Sequence, residues 1–426
     1  MKEISLMQRE LDLFSMDSIS GKSRIRFTGS CGVLGRMWDI ALKDIEKNHC
    51  VELDDGCVFA AGGYNRHKNW EGLTFNRDTN FSGLLALNAL YPEEMLESLK
   101  IIRKYRENLR FACTPETELE GVEGVQVFNL DFEAFKARFH KGSAINKTDD
   151  VSWIWCAYDL LMKSGMDQWQ WLYETAKRHF REFYAPFYDE RDGLFFGQPT
   201  FIDVGCNGYP EAFGYRTKAA FNNGVWVKAS STNALYYKAL SVLAEVSARL
   251  GEKDAGDWKD RAWSLKQAIR RELRFADGTF AYFKHRDGSL EGRREVLGTA
   301  LPVLFDIVRG EEARAALVGY PITAFGAPLL HPFYDNDKVL HNNSAWPFAD
   351  TFLLLARERA FSESCVDLNL QIMVNAARRG HLYEFRNLLT NQMAGSVAQL
   401  WTIAGFANAC IRGGLTELPP DAVRLY

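Results

Sequence analysis

Paired runs of helical periodicity constrain this chain more than any other feature. In residues 233–250, Leu235, Leu240, Leu243, Val246 and Leu250 recur at helix-like spacing, with Ser231 and Thr232 as caps and Gly251 as a stop. Asp257 then opens residues 258–273, where Trp263, Leu265, Ile269 and Leu273 fall on the apolar side. The short Gly/Asp connection between the two runs predicts an antiparallel helical hairpin. Comparable runs occupy residues 81–109, 151–184, 296–317, 348–378 and 398–411. Alternating strands are scarce; residues 278–283 and 57–61 are the best candidates, both short and flanked by turns. The expected class is all-α. Hairpins recurring about every 70 residues would place six around a ring, each burying one face inward, with the loops of one end forming a pocket. The polar, Gly-rich connections at 62–79, 197–231 and 320–347 would converge there.

Composition narrows the partners. No Pro/Gly/Ser-rich linker, low-complexity tract or charge block divides the 426 residues, so a single domain over 1–426 is expected. The net charge is −4 with signs mixed along the chain, which marks it for neither nucleic acid nor an anionic membrane. A small, neutral or modestly charged substrate is the default partner; the oligomeric state is open, a homo-oligomer included. The eight cysteines lie without Cys-x-x-Cys or zinc-type spacing and read as reduced thiols. Residues 1–17 are too charged for a signal-peptide core, and no apolar run approaches the roughly 18 to 20 residues of a membrane span, so a cytoplasmic setting is expected. No Asp/Glu/His spacing repeats a metal-ligand pattern, and no cofactor is expected.

The segment His341-Asn342-Asn343-Ser344-Ala345-Trp346-Pro347 packs amide, imidazole and indole side chains just ahead of a helix that Pro347 opens. Such a set suits a sugar, whose hydroxyls need short donors and acceptors and whose apolar ring face needs a flat aromatic. Aromatic residues make up 13% of the chain, with eleven Trp, enough to supply stacking walls beyond the core. Four non-helical or helix-entry segments carry carboxylates: Asp203 after Thr200-Phe201-Ile202, Glu384 between Tyr383 and Phe385, Asp78 beside Arg77, and Asp149-Asp150 ahead of Trp153. Arg77 is expected to hold Asp78 ionised and oriented. Taken singly, each such segment is more often a helix cap or a solvated turn.

In order, these segments resemble the glucoamylase-like catalytic domain of glycogen debranching enzymes, a branch of the six-hairpin glycosidases. Asn76-Arg77-Asp78-Thr79 resembles that family's Gly-Arg-Asp-Thr, and Asp149-Asp150-Val151-Ser152-Trp153 its Asp-Ala-x-Leu-Trp. Thr200-Phe201-Ile202-Asp203 is similar to Thr-Trp-Met-Asp, and the run from Asn233 to Leu240 to its Asn-Ala-Leu helix. His341 to Pro347 resembles His-Asn-Gly-x-x-Trp-Pro, and Glu384 followed by Gln399-Leu400-Trp401-Thr402 resembles its glutamate and Gln-Ala-Trp-Ser. The resemblance spans about residues 60 to 410 and implies an (α/α)6 barrel performing exo-type glycoside hydrolysis with inversion. Asp203 would be the general acid and Glu384 the general base, on opposite faces of the sugar with room for one water. Arg77, Asp78, Asp150, His341, Asn342, Trp346, Gln399 and Trp401 would line the terminal subsite, with Trp153 as a stacking wall.

Three positions depart from the pattern: Phe201 replaces a tryptophan, Ser231 a glutamate and Asn343 a glycine. The implied substrate is a small α-linked glycoside, an α-glucoside first, rather than glycogen. Neutral invertases resemble the chain at Phe75 to Asp78, Ile202-Asp203 and Gln399 to Gly405; trehalases and mannosylglycerate hydrolases agree more weakly. Arg216, Lys218, Lys228 and Arg386 are candidates to meet a substrate carboxylate. A barrel lyase, an epimerase or a sugar-binding module are the readings from other classes.

Overall fold

The computed structural model describes residues 25–53, 55–62, 74–108 (105–108 as backbone), 148–181, 187–197, 200, 202, 227–337 and 339–425. Among these, twelve helices alternate between two burial patterns. The outer kind is amphipathic: α1 (Gly32–Asn48), α3 (Pro92–Asn108), α5 (Trp169–His179), α7 (Ala255–Glu272), α9 (Glu311–Leu317) and α11 (Val366–Asn375). On α7 a single stripe, Trp258, Ala262, Leu265, Ala268 and Ile269, is buried.

The inner kind is buried nearly all round. It comprises α2 (Asn76–Ser82, continuing through a π turn, Gly83–Leu87, to Asn88–Leu90), α4 (Thr148–Ser164), α6 (Ser230–Leu250), α8 (Val296–Leu304), α10 (Pro347–Phe361) and α12 (Leu400–Arg412). Every residue of α8 is buried, as is α12 up to Ile411. A helix apolar on all sides needs cover on all sides, which a second layer supplies.

The inner helices pack in the cyclic order α2, α4, α6, α8, α10, α12 and back to α2, while each outer helix lies against the inner ring. This is the (α/α)6 barrel the resemblance implied. The ends of the described chain meet where the ring closes: Thr28 N–H donates to Leu415 O at 2.8 Å and Glu417 N–H to Arg26 O at 3.0 Å. Aromatic side chains fill the barrel. Trp155 meets Phe305 edge-on at 4.7 Å, Phe81 meets Phe352 at 5.5 Å, and Phe195 stacks on Tyr236 at 3.9 Å.

Local expectations fared unevenly. Gly251 ends α6 at φ +71°, and Pro347 opens α10. Ser231 and Thr232 do not cap α6: Ala229 is the N-cap residue and both side chains turn inward. Helix α7 starts at Ala255 rather than Asp257, and Trp263, expected on its apolar side, is 63% exposed.

Residues 57–61 fall largely within a hairpin formed by His49–Leu53 and Gly56–Phe59, and 278–283 contributes only the short strand Phe283–Lys284. The longest hairpin among the described residues, His381–Asn387 with Gln392–Val397, was not anticipated. No helix among the described residues is long and apolar enough to cross a membrane.

Candidate functional site

The N-terminal ends of the inner helices are stitched together at one mouth. Arg77, in the first turn of α2, pairs through Nε with Asp149 Oδ1 of α4 at 2.7 Å and donates from Nη1 to Thr200 O at 2.7 Å. Thr148 Oγ1 donates to the same carbonyl at 2.8 Å, and Thr200 N–H donates to Ser231 Oγ of α6 at 3.1 Å. Ser231 Oγ donates to Glu295 Oε2, just ahead of α8, at 2.9 Å. Gln399, just ahead of α12, donates from Nε2 to Asp78 Oδ1 at 2.8 Å. Helix N-termini carry partial positive charge, so acidic residues in these first turns and any anion forming at the mouth are favoured there.

Glu384 enters this mouth on a bulged hairpin. Tyr383 pairs with Val397 and Phe385 with Ala394, so two residues, Gly395 and Ser396, stand opposite one. The bulge aims Ser396 N–H at Glu384 Oε2, 2.8 Å away. Gly395 sits at φ +79°, and a Cβ there would lie 2.3 Å from Glu384 Oε2, so the carboxylate position needs a glycine beside it.

The same strand pairs with Ser344–Ala345, and Leu388 N–H donates to Asn343 O at 2.9 Å, which brings the His341 to Pro347 segment alongside. Behind Glu384 the rings are layered. His341 stacks on Trp346 at 5.3 Å, Trp346 on Phe385 at 5.2 Å, and Trp401 meets Trp346 edge-on at 5.6 Å. His341, Trp346 and Trp401 are all buried.

Asp78 is buried, and that burial pushes its carboxyl well above the usual range. Arg77 opposes the shift, and the charges of Glu384 and Asp149 reinforce it. The expectation that Arg77 orients Asp78 is corrected: the guanidinium pairs with Asp149, and Gln399 bonds Asp78 instead. Gln399 Oε1 is buried with no hydrogen-bond partner among the described residues, an acceptor left at the wall of the site.

The structure thus brings Arg77, Asp78, Glu384 and Gln399 together, with His341, Trp346 and Trp401 layered behind. It does not bring the other three. Asp150 pairs with Arg103 of α3, whose guanidinium lies 4.8 Å over the Trp153 ring, and Trp153 Nε1 donates to Leu99 O at 3.0 Å. Trp153 is wholly buried between α3 and α4, so it offers no stacking wall here. Asn342 bonds the backbone N–H and O of Tyr334, both at 3.0 Å, and shapes its own loop. Asn343 adopts φ +48°, the conformation a glycine takes freely and asparagine tolerates, which accounts for that departure from the motif.

Asp203, Arg216 and Lys218 lie outside the described residues. Lys228 is bound by Asp189 and Asp192, each at 2.7 Å. Arg386 donates to Asn391 O at 2.8 Å and to Asn375 O. Both are internal ties. Glu295 was not singled out from the sequence, and of the Asp149-Asp150 pair it is Asp149 that meets Arg77 at the mouth. The one signal for Glu295 was the serine at 231, where the motif has a carboxylate. Among the described residues, no group of His, Cys, Asp and Glu is placed to hold a metal ion.

Residues 208–402 match the model of the mannosylglycerate hydrolase MGH1-like glycoside hydrolase domain. A GH63 mannosylglycerate hydrolase from Thermus thermophilus, solved in complex with glucose, superposes with a TM-score of 0.61 at 14% identity, over 87% of this chain and 99% of that one. A glycosidase variant in complex with glucose gives 0.58 at 12% identity, over 91% and 98%. A GH78 rhamnosidase of Bacillus sp. GL1 gives 0.55 at 15% identity, over 91% of this chain but 35% of the rhamnosidase. No curated protein matches by sequence.

Proposed function

We propose that this six-hairpin glycoside hydrolase removes a terminal sugar from a small α-linked glycoside with inversion, Asp203 acting as general acid and Glu384 as general base. The observation that carries the reading is Glu384 itself. It is a carboxylate fixed by Ser396 N–H, set beside Asp78 and Gln399, and backed by a wall of stacked rings at the convergence of helix N-termini. Inversion and the role of Asp203 come from the motif resemblance.

In this mechanism Glu384 takes a proton from water as it attacks the anomeric carbon, and Asp203 gives a proton to the departing oxygen. Burial biases the Asp78 carboxyl toward its neutral form, in which it would donate to a sugar hydroxyl, while Glu384 serves as the base. Gln399 Oε1 offers an acceptor to the same sugar. An α-glucoside is the first substrate class, and cysteines without disulfide-type spacing favour a cytoplasmic setting.

A second reading, a glycoside whose aglycone is a small hydroxy acid such as glycerate, is favoured by the family match over residues 208–402. The test is a panel of α-linked disaccharides, sucrose, trehalose, glucosylglycerate and mannosylglycerate. Monosaccharide release is read against Asp203→Asn and Glu384→Gln, each expected to lower turnover at least about a hundredfold. Glucose from a disaccharide supports the first reading and glycerate release the second. Near-normal activity in either variant contradicts the assignment of that carboxylate.

A further inference from the structure

A buried carboxyl behind the mouth takes no part in the chemistry proposed above. Glu295 is 1% exposed and precedes α8 directly. Its Oε2 accepts from Ser231 Oγ at 2.9 Å, and its Oε1 has no hydrogen-bond partner among the described residues. Burial pushes this carboxyl up to about 8, against the opposing bonds from Ser231 and the Gly298 backbone.

Ser231 Oγ also accepts from Thr200 N–H at 3.1 Å. A hydroxyl has one hydrogen and two lone pairs. With the hydrogen turned toward Glu295, the lone pairs are left to face Thr200. Glu295 therefore sets which way the hydroxyl points. On the other side of the same residue, the Thr200 carbonyl accepts from Arg77 and Thr148, and two positions on, Ile202 is fully buried. Both peptide planes of Thr200 are clamped three positions before Asp203. A carboxyl that served only to cap α8 would not also need to orient a hydroxyl of α6.

We propose that Glu295 is a positioning residue for the general acid: acting through Ser231, it fixes Thr200, three positions before the Asp203 assigned above as the acid. This rests on the reading of Asp203 as the acid, so the test separates the two. Turnover is measured on an α-linked glucosyl disaccharide, whose alkoxide leaving group needs a proton, and on α-glucosyl fluoride, whose leaving group needs far less help.

Ser231→Ala and Glu295→Leu are expected to lose about tenfold or more on the disaccharide and less than about threefold on the fluoride. Glu295→Gln, which keeps an oxygen acceptor, recovers most of the disaccharide activity that Glu295→Leu loses. Asp203→Asn shows the same contrast in larger form. If Asp203→Asn shows the contrast but Ser231→Ala loses equally on both substrates, or on neither, Glu295 does not position the acid and the proposal is overturned. Ser231→Ala removes one oxygen atom, so this outcome stands even if Glu295→Leu fails to fold. If Asp203→Asn loses equally on both, the acid assignment fails and takes this proposal with it.

Discussion

Gln399 donates to Asp78 at 2.8 Å across 321 positions of sequence, tying the entrance of the last inner helix to the first turn of the first one. The bond closes the barrel and orders the pocket at once. It also leaves Gln399 Oε1 buried with no hydrogen-bond partner among the described residues. Gln399→Ala leaves Asp78 buried without that donor, so the folded state should lose about 1–3 kcal/mol. Substrate binding should weaken with it, KM rising about tenfold while kcat falls less. Thermal unfolding together with Michaelis kinetics checks both; an unchanged KM would show that Gln399 holds the barrel and not the sugar.

The bulge opposite Glu384 predicts a different profile for its neighbour. Gly395→Ala places a methyl against the Glu384 carboxylate and imposes a strained backbone at φ +79°. Misplacing a catalytic group by a fraction of an ångström to an ångström costs on the order of tenfold to a hundredfold in turnover. Steady-state kinetics on Gly395→Ala should show that loss in kcat with KM within about threefold. A variant with normal kcat would mean that Glu384 tolerates displacement and is not the base.

Which parts of this site could be read from sequence follows from periodicity and its limits. The six hairpins were legible because inner helices are apolar all round and outer ones on one stripe, a contrast visible in α8 against α7. The order of motifs pointed to Arg77, Asp78, Glu384 and Gln399, and the structure brings these four to one mouth. The partner of Arg77 was not legible. Adjacent residues on a helix point apart, so Arg77 turns from Asp78 toward Asp149, which arrives from another helix. Nor was the rotation of α4, which sends Trp153 outward to α3 although Thr148 at its start faces the mouth. The hairpin carrying Glu384 escaped notice because its pairing depends on a glycine bulge rather than on simple alternation.

That rotation gives a prediction for Trp153. Its indole bonds Leu99 O and lies under Arg103, so Trp153→Phe should cost stability, about 1–3 kcal/mol from the lost hydrogen bond and contacts, while kcat and KM stay within about twofold. Denaturant unfolding and kinetics on one preparation decide it. A large rise in KM with unchanged stability would restore Trp153 to the sugar site.

Asp350 makes the fold sensitive to alkali. Its Oδ1 accepts from Ala327 N–H at 2.9 Å, its Oδ2 has no hydrogen-bond partner among the described residues, and burial pushes its carboxyl up to about 8. A carboxyl with a folded pKa above its unfolded value of about 4 contributes stability that is fully present below the unfolded pKa. That contribution declines as pH rises and is lost once pH passes through about 8. Glu295, also pushed up to about 8, acts in the same direction. The unfolding temperature should therefore fall between about pH 5 and pH 9, and fall less steeply in Asp350→Asn. Parallel pH profiles for the two proteins would refute the contribution of Asp350.

The central claim is that Glu384 directs water to the face of the sugar opposite the departing oxygen. Proton NMR of the hydrolysis of an α-linked glucoside, read before mutarotation, tests it most directly. The account predicts β-glucose as the first product, relaxing later to the anomeric mixture; α-glucose as the first product would contradict it.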